Sequence, residues 1–538
     1  MKVDNFSTRV VFCHLTLVLV IFAAAYCNGQ AIEKLHQNER TADKLFLEGS
    51  YRAAMDIYEE LIRNGNSDNP LFVKVARTHY RMREYSGCTL WYAKASRGAD
   101  LSDEDTFNYA ECLCASGNYK EGATHFKKFA ARHKDDELVQ NKIWRLNNIK
   151  FLYEDSAHYG VTKLSLNTTS SEMNAVAFGD GVVFVSDRSS HAVVKNVSVA
   201  TGNEFYKMYY NSIDESTSND RSTRKVEKSF RLVQSRFHNG GFCFYGNQTK
   251  LIMARTADQP SHQGRYSMQL FFATRSSDEW TVQSRFPHNN TDYNLNDPWI
   301  NEDGTILYFT SDMKGGLGGL DIYKSELVNG HWTRPINLGE PINTRMDEKS
   351  PFISETGTLY FASDGHAGLG GFDIYRIEAG ENSEAQVINM GFPINTSADD
   401  FAFRHNDKTS TGYLTSSRAA GNDDVYQVMT DQQIYPLVIN GVLRTKESSW
   451  NQDSELNFLP GASLFLIDHT RNTVADETKS DASGNFSLNI PYFSLYKIRV
   501  VQPDGTEAIV SLELPRQKKK DLHHDIVVVR DAFKTQGQ

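Results

Sequence analysis

Two kinds of hydrophobic pattern divide this chain. Over residues 31–155, apolar side chains recur at helical spacing, as at Leu45, Met55 and Tyr58, which predicts amphipathic helices. Over residues 161–432, short runs of alternating apolar and polar positions are separated by Gly, Asn and Asp, which predicts strands joined by tight turns. The pattern therefore predicts a helical region followed by a long β region.

The helical region repeats itself with a period of 34 residues. That period is the length of the tetratricopeptide (TPR) repeat, in which a small residue lets two helices approach closely. We therefore predict an all-α TPR superhelix over residues 31–155, whose concave surface holds a peptide or helix of a partner. The positions that keep the step are Ala42, Ala76 and Ala110; Tyr51, Tyr85 and Tyr119; Tyr58, Tyr92 and Phe126; and the turns Gly49-Ser50, Arg83-Glu84 and Gly117-Asn118.

The β region has a repeat of its own, with a step of about 52 residues. Its clearest copies are the segments 307–312 and 359–364, each followed by a glycine-rich loop and an Asp-Ile-Tyr strand. Weaker copies lie at 183–188, 251–255 and 413–418. Five copies of a four-stranded unit predict an all-β propeller of about five blades over residues 161–432.

The glycine loops are superficially similar to phosphate-binding loops. A strand follows each of them, whereas a phosphate loop leads into a helix whose N-terminus faces the anion, so we interpret them as turns. The acid after the loop recurs once per unit, which favours a structural role at turn amides over catalysis. These recurring acids are Asp321, Asp373 and Asp424.

The third region, residues 436–530, consists of short alternating runs. Its order of strands, and a turn with Asp481, Gly484 and Phe486, resembles the carboxypeptidase regulatory-like domain, a transthyretin-like β-sandwich. Glycine permits the bend, and the phenylalanine is expected to fill the core. No peptidase unit accompanies it, so the resemblance implies no peptidase activity.

The N-terminus predicts export. Lys2 and Arg9 precede an apolar run over 15–26, which is typical of a secretory signal peptide over residues 1–29. No later run reaches the ~18 apolar residues of a membrane-spanning helix. Cys27 has two interpretations: it is removed with the signal, or it carries a lipid anchor, although lipoprotein signals have a small residue where Tyr26 stands.

The net charge and the cysteines limit the class of partner and the number of disulfides. The formal net charge of −10, from 57 basic and 67 acidic residues, argues against nucleic acid as a partner. After residues 1–29 the remaining cysteines are too few for a disulfide scaffold. Buried free thiols are favoured, and pairing of Cys88 with one of the next two stays open. These cysteines are Cys88, Cys112, Cys114 and Cys243.

No Gly-x-Ser-x-Gly, His-Glu-x-x-His or paired-Cys motif occurs in the chain. The sequence therefore predicts a protein that is not an enzyme and has no catalytic, cofactor-binding or metal-binding residue. The turn histidines are expected at the surface. They are His288, His331 and His366.

The β repeat resembles the WD-like propeller repeat of TolB and of Bacteroidetes envelope proteins. The order of signal peptide, helical repeats, propeller and sandwich is similar to PorE-type proteins, which are OmpA-family components associated with type IX secretion. The resemblance implies a periplasmic protein associated with the outer membrane, with partners in a secretion or gliding complex. Family members bind peptidoglycan through a C-terminal OmpA-like domain that this sequence lacks after Gln538, so direct peptidoglycan binding is not expected.

Three functions are compatible with these patterns. The favoured hypothesis is a non-enzymatic periplasmic scaffold or assembly factor of an outer-membrane machine, because two repeat surfaces occur without catalytic motifs. The alternative is a glycan- or peptide-binding sensor that uses the propeller channel. An enzyme is the least favoured of the three.

Overall fold

A computed structural model describes residues 38–529 and the short strand at 534–535, with gaps at 155, 157–158, 190–196, 199–201, 213–228, 262–263, 277–278, 380–384, 407–408, 420, 431–436, 447–455, 469–472, 492–495 and 513–520. The signal-peptide prediction and Cys27 lie outside the described residues.

Helices occupy the first part of the described chain. Because three-residue turns join α1 to α2, α3 to α4 and α5 to α6, the helices of each pair reverse direction. A short 3-10 helix at Ile149–Tyr153 follows the last of them. The helices are α1 (38–47), α2 (Tyr51–Arg63), α3 (Asn69–Arg81), α4 (Tyr85–Ala95), α5 (Asp103–Ala115), α6 (Tyr119–Ala130) and α7 (Glu137–Asn147).

Small residues lie where the helices meet. Ala42, Ala76 and Ala110 are fully buried, because a larger side chain at these positions would hold the helices apart. A disulfide between Cys88 and Cys112 joins α4 to α5, with 6.1 Å between the two Cα atoms. The favoured free-thiol state is therefore wrong for these two cysteines, whereas Cys114 and Cys243 are free.

Five small sheets follow the helices. Apart from β1, the strands of each sheet follow one another in sequence and are joined by tight turns or longer loops. Their strands are β1 (Tyr159–Lys163), β2 (Glu172–Phe178), β3 (Gly181–Ser186), β4 (Lys207–Ser212), β5 (Asn239–Tyr245), β6 (Lys250–Thr256), β7 (Met268–Ser276), β8 (Glu279–Arg285), β9 (Leu295–Ile300), β10 (Ile306–Ser311), β11 (Asp321–Val328), β12 (His331–Trp332), β13 (Ile336–Asn337), β14 (Glu348–Ile353), β15 (Leu359–Ser363), β16 (Asp373–Ala379), β17 (Ala385–Asn389), β18 (Asp400–Asn406), β19 (Thr411–Ser416) and β20 (Asp424–Thr430).

These five sheets close into a ring. In chain order they are sheet 1 (β2–β4), sheet 2 (β5–β8), sheet 3 (β9–β13), sheet 4 (β14–β17) and sheet 5 (β18–β20), and β1 completes sheet 5 by pairing antiparallel with β20. The inner strands β2, β5, β9, β14 and β18 each contact the next, and β18 contacts β2. Pairing of the first strand with the last leaves no open end in the ring.

The inner strands share a local distortion. Each carries an irregularity where it pairs with the second strand of its sheet. In four of them a non-glycine residue there has positive φ: Asn174 (54°), Asp297 (46°), Ser350 (55°) and Ala402 (52°). The bulge turns backbone groups toward the neighbouring sheet, and the Ser350 N–H donates to Asp297 Oδ2 at 3.2 Å.

The last region forms two facing sheets around one core. Its strands alternate buried and exposed positions, as expected for sheets with one buried face. The first sheet is built on the order β22-β21-β25, with β28 and β29 parallel to β21, and the second has the order β24-β23-β26-β27-β30. The strands are β21 (Leu437–Lys446), β22 (Asn457–Phe458), β23 (Ser463–Asp468), β24 (Thr473–Lys479), β25 (Asn485–Ile490), β26 (Tyr496–Val501), β27 (Thr506–Leu512), β28 (Asp521–His523), β29 (Ile526–Val529) and β30 (Lys534–Thr535).

The predicted fold class, with its all-α TPR superhelix, is wrong. The chain is mostly β, at 41% strand and 22% helix, with seven helices and seven small sheets in the described part, where no TPR superhelix is seen. The helices form a layer on the ring instead, called here the helical layer (α1–α7). Residues Asp105–Ala115 of α5 are all buried, since other helices cover one side and ring residues such as Met346 pack on the other. The inner surface that was expected to hold a partner is therefore partly covered by the chain itself.

Candidate functional site at the junction of helices and ring

The turn between α3 and α4 has an unusual residue. Arg83 is in the left-handed conformation, with φ 58°, where the corresponding turns have Gly49 (φ 79°) and Gly117 (φ 78°). This conformation costs a residue with a side chain roughly 1–2 kcal/mol. Strain of this kind persists where the surrounding structure holds the residue in place and often marks a functional position.

The side chain of Arg83 is held by the ring. Its Nη1 donates to Asp399 Oδ1 at 2.8 Å and its Nη2 donates to Asp364 Oδ2 at 2.7 Å. Its guanidinium carbon lies 3.8 Å from the centre of the Phe372 ring. The Tyr85 hydroxyl donates to the same Asp399 oxygen at 2.8 Å. We call Asp364, Asp399 and Phe372 the cradle.

A second cation from the helical layer lies beside the cradle. Lys142 of α7 donates to the backbone carbonyl of Asp364 at 2.8 Å and pairs with Glu111 Oε1 of α5 at 3.0 Å. Burial raises the pKa of Glu111, against the effect of the Lys142 ammonium. Further out, Arg345 Nη1 pairs with Asp136 Oδ2 at 2.6 Å. The junction is therefore built from charged contacts with different degrees of burial.

More charged groups lie where the inner strands meet. The Lys349 ammonium is 3.3 Å from the centre of the Phe401 ring and 4.3 Å from that of Phe372. Burial lowers the pKa of Lys349, and the nearby Arg83 lowers it further. Burial raises the pKa of Asp423 to about 6, although Lys349 lowers it. This arrangement can bind charged groups through ion pairing and through aromatic faces.

A buried carboxylate recurs at the start of the inner strand in three sheets. In sheet 1, Glu172 Oε1 pairs with Arg188 Nη2 at 2.9 Å, and in sheet 5, Asp400 Oδ1 pairs with Arg418 Nη2 at 2.6 Å. Both carboxylates are completely buried. An arginine two residues after the second strand of the sheet thus neutralises each buried acid.

Sheet 4 departs from this rule. Its buried Glu348 accepts hydrogen bonds from the Thr344 N–H (2.8 Å), the Thr344 hydroxyl (2.7 Å) and the Ser363 hydroxyl (2.7 Å). The position of the arginine is taken by Gly365, where an added Cβ would collide with the Thr344 side chain. Burial raises the pKa of Glu348 to about 7.

A histidine takes over one contact of the missing arginine. Arg188 and Arg418 each also donate from Nη2 to a backbone carbonyl, that of Leu166 and of Ile394. Each carbonyl lies two residues before a threonine that binds the buried acid of the same sheet. In sheet 4, His366 Nε2 lies 2.9 Å from the corresponding carbonyl, that of Ile342. Burial lowers the pKa of His366 to about 4, and Lys142 acts in the same direction.

Departures from the two repeats therefore meet at one place. Arg83 stands where the other two helical turns have glycine, and Gly365 stands where sheets 1 and 5 have arginine. Gly365 directly follows Asp364, which binds Arg83. The sequence hypotheses missed this junction, and the two departures are the signal by which it could have been found.

The recurring acids lie at turns of the ring. Asp321 Oδ2 and Asp373 Oδ2 each accept from the backbone N–H four residues earlier, at 2.6 and 2.5 Å. Asp424 instead pairs with Lys163 Nζ at 2.7 Å. Burial raises the pKa of Asp373 to about 7. These acids are dispersed over three sheets, and the contacts they make are those of structural groups.

The remaining candidate residues do not come together. Among described residues, no group of three or more His, Cys, Asp and Glu side chains is arranged to hold a metal ion. Within the same part of the chain, no helix is long and apolar enough to cross a membrane. Of the turn histidines, His331 is exposed, whereas His288 and His366 are partly buried.

Comparisons with known proteins show no family for this chain. No family model matches it, and no curated protein matches it. Solved structures that match in part include a puromycin-hydrolysing peptidase from Mycobacterium tuberculosis (12% identity, 48% of this chain and 36% of that chain, TM-score 0.27) and an α-L-arabinofuranosidase from Lactobacillus brevis (10%, 54% and 94%, TM-score 0.30). A third is hydrazine synthase from Kuenenia stuttgartiensis (8%, 66% and 62%, TM-score 0.29). This chain thus spans little more than a third of the peptidase, and similarities this low carry no argument about its function.

Proposed function

We propose that the protein is an exported, non-enzymatic scaffold or assembly factor that holds envelope proteins together in an outer-membrane machine of the type IX secretion or gliding kind. The observation that carries this proposal is the junction. Charged side chains of the helical layer and the ring neutralise each other there, so that two repetitive regions form one composite body. A scaffold needs such a body, because it must hold its partners in a fixed relation.

The outer surface of this body offers places for partners. Leu90 of α4 and Trp144 of α7 are about half exposed, at 53% and 50%. Exposed large apolar and aromatic side chains are common anchors in protein interfaces. The proposal therefore assigns partner binding to the outer side of the helical layer, since the ring occupies part of its inner side.

The cysteines support a location outside the cytoplasm. Disulfides persist in oxidising compartments such as the bacterial periplasm and are rare in the cytosol. The disulfide between Cys88 and Cys112 agrees with the expected signal peptide over residues 1–29. We propose a periplasmic protein associated with the outer membrane.

The experiment is a crosslinked purification of the tagged full-length protein from its native envelope. A double variant, Leu90→Ser with Trp144→Ser, is compared with Ile336→Ser, which removes an even more exposed apolar side chain (65%) from sheet 3. We expect wild type and Ile336→Ser to retain secretion or gliding components in a stable ratio and the double variant to lose them. A protein purified as a monomer without such components, in all three forms, would refute the proposal.

A second candidate function rests on the groups where the inner strands meet. Lys349, Phe401 and Asp423 combine an aromatic face with both signs of charge, which suits a polar ligand such as a peptide or glycan. Calorimetric titration of peptidoglycan fragments and short peptides into the full chain tests this sensor hypothesis. Binding that Lys349→Met abolishes would favour it over the scaffold.

A further inference from the structure

We infer that Asp364, Asp399 and Phe372 form a guanidinium-binding site on the ring, and that Arg83 is its tethered ligand, which latches the helical layer onto the ring.

The geometry of the cradle suits a guanidinium group. The two terminal nitrogens of Arg83 donate to carboxylates from two different sheets, and a phenylalanine face covers the same group. A planar guanidinium can make these three contacts at once, because its N–H groups point in fixed directions and its face can stack. The ammonium of lysine also has several donors, and Lys74 binds Glu39 and Asp43 together, but it has no planar face to stack on Phe372 and its donors diverge from a single nitrogen.

The ring itself holds the cradle in position. Asp364 Oδ1 accepts the N–H of Asp347 at 3.0 Å, and Asp399 Oδ1 accepts the N–H of Phe372 at 2.8 Å. Both aspartates are buried, with side-chain exposures of 11% for Asp364 and 7% for Asp399. Their orientation therefore depends on the backbone of the ring and does not require Arg83.

The turn that carries Arg83 does not require arginine either. Gly49 and Gly117 make the corresponding turns with glycine, which adopts positive φ without strain. Arg83 therefore contributes nothing to the turn that glycine would not provide. Arginine adds the contact with the cradle, and this contact offsets the cost of holding a residue with a side chain at positive φ.

Chemical rescue tests this inference. In the full-length Arg83→Ala variant the side chain is cut back to Cβ, and ethylguanidinium replaces the missing atoms. The readout is hydrogen exchange of the α5 and α7 backbone amides, which the ring covers. We expect exchange to rise about tenfold in the variant, the size of effect for lost hydrogen bonds to charged groups, and millimolar ethylguanidinium to restore protection.

Two controls make the result specific. Ethylammonium, added at the same ionic strength, has the same charge but lacks the planar set of N–H donors of a guanidinium group. It should therefore not restore protection. Adding Phe372→Leu to Arg83→Ala removes the aromatic face of the cradle, and ethylguanidinium should then restore much less protection. Equal rescue by both cations, or equal rescue of both variants, would overturn the inference.

A second variant covers the case in which Arg83→Ala does not fold. Arg83→Lys keeps the charge and most of the length of the side chain but cannot bind both carboxylates as a fork. We expect it to fold and to show exchange at α5 and α7 several-fold above wild type. Wild-type protection in Arg83→Lys would mean that any cation suffices, and the guanidinium site would be refuted.

Discussion

Sheets 4 and 5 of the ring stabilise a buried carboxylate in two different ways. Each buries a carboxylate completely at the start of its inner strand, but Asp400 is paired with Arg418 whereas Glu348 has only neutral donors among the described residues. The unpaired acid lies in the sheet whose loops receive Arg83 and Lys142 from the helical layer. Sheet 5 also binds Arg83, through Asp399, and keeps its internal ion pair. The comparison teaches that a sheet at the junction can bury its carboxylate with or without a counter-ion, provided that other donors satisfy it.

Removing the carboxylate charge should separate the two sheets most clearly. Asp400→Asn leaves Arg418 partly buried without its counter-ion, so we expect the free energy of unfolding to fall by about 3 kcal/mol. Glu348→Gln leaves no buried cation without its counter-ion, and the Thr344 and Ser363 hydroxyls can rotate to accept hydrogen bonds from the new amide. We therefore expect the free energy of unfolding to fall by less than about 1 kcal/mol. Urea denaturation at pH 7 measures both. Equal losses would show that the arginine does not distinguish the sheets.

Filling the place of the missing arginine should also be costly. In Gly365→Ala the new methyl group collides with the Thr344 side chain, and we expect a loss of about 2 kcal/mol from overpacking. The matched control is Gly160→Ala in β1, whose added Cβ would meet only ordinary contacts with Met429. Thermal unfolding of both variants tests this. A neutral Gly365→Ala would mean that sheet 4 has room for a side chain and that its lack of arginine has another cause.

The unpaired acid should make stability depend on pH. Burial raises the pKa of Glu348 to about 7, so between about pH 5 and 7 the folded state holds a proton that the unfolded state has released. The contribution of Glu348 to the free energy of unfolding therefore falls as the pH rises through this window, by about 1 kcal/mol per pH unit. Glu348→Gln should thus gain stability relative to wild type across this window. Denaturation midpoints of both proteins from pH 5 to 8 measure the difference, and a constant difference would contradict the assignment.

His366 should act in the opposite direction, with the smallest effect. Because burial lowers its pKa to about 4, the unfolded state binds the proton first as pH falls below about 6.5, and stability falls with it. His366→Ala removes this dependence and one hydrogen bond to the Ile342 carbonyl, at a cost of about 1 kcal/mol. The same denaturation series at pH 7 and pH 5 is the check. A larger loss at pH 5 than at pH 7 would have the wrong sign.

The sequence by itself determined the local pattern. The 34-residue period identified Ala42, Ala76 and Ala110 as the small positions at helix contacts, where all three are buried, because helix packing depends on residues a few positions apart. It left the pairing of Cys88 open, and it led to a wrong fold class for the chain as a whole.

Only the tertiary structure decided what the helices pack against. Arg83 and Asp399 are 316 residues apart, and Arg83 and Asp364 are 281 apart. No periodic pattern connects such distant positions, because each belongs to a different repeat with its own step. The contact exists only because sheets 4 and 5 pack side by side beneath the turn between α3 and α4. Ring residues such as Met346 also cover the inner side of α5, so a chain with a TPR-like period forms a layer on a ring.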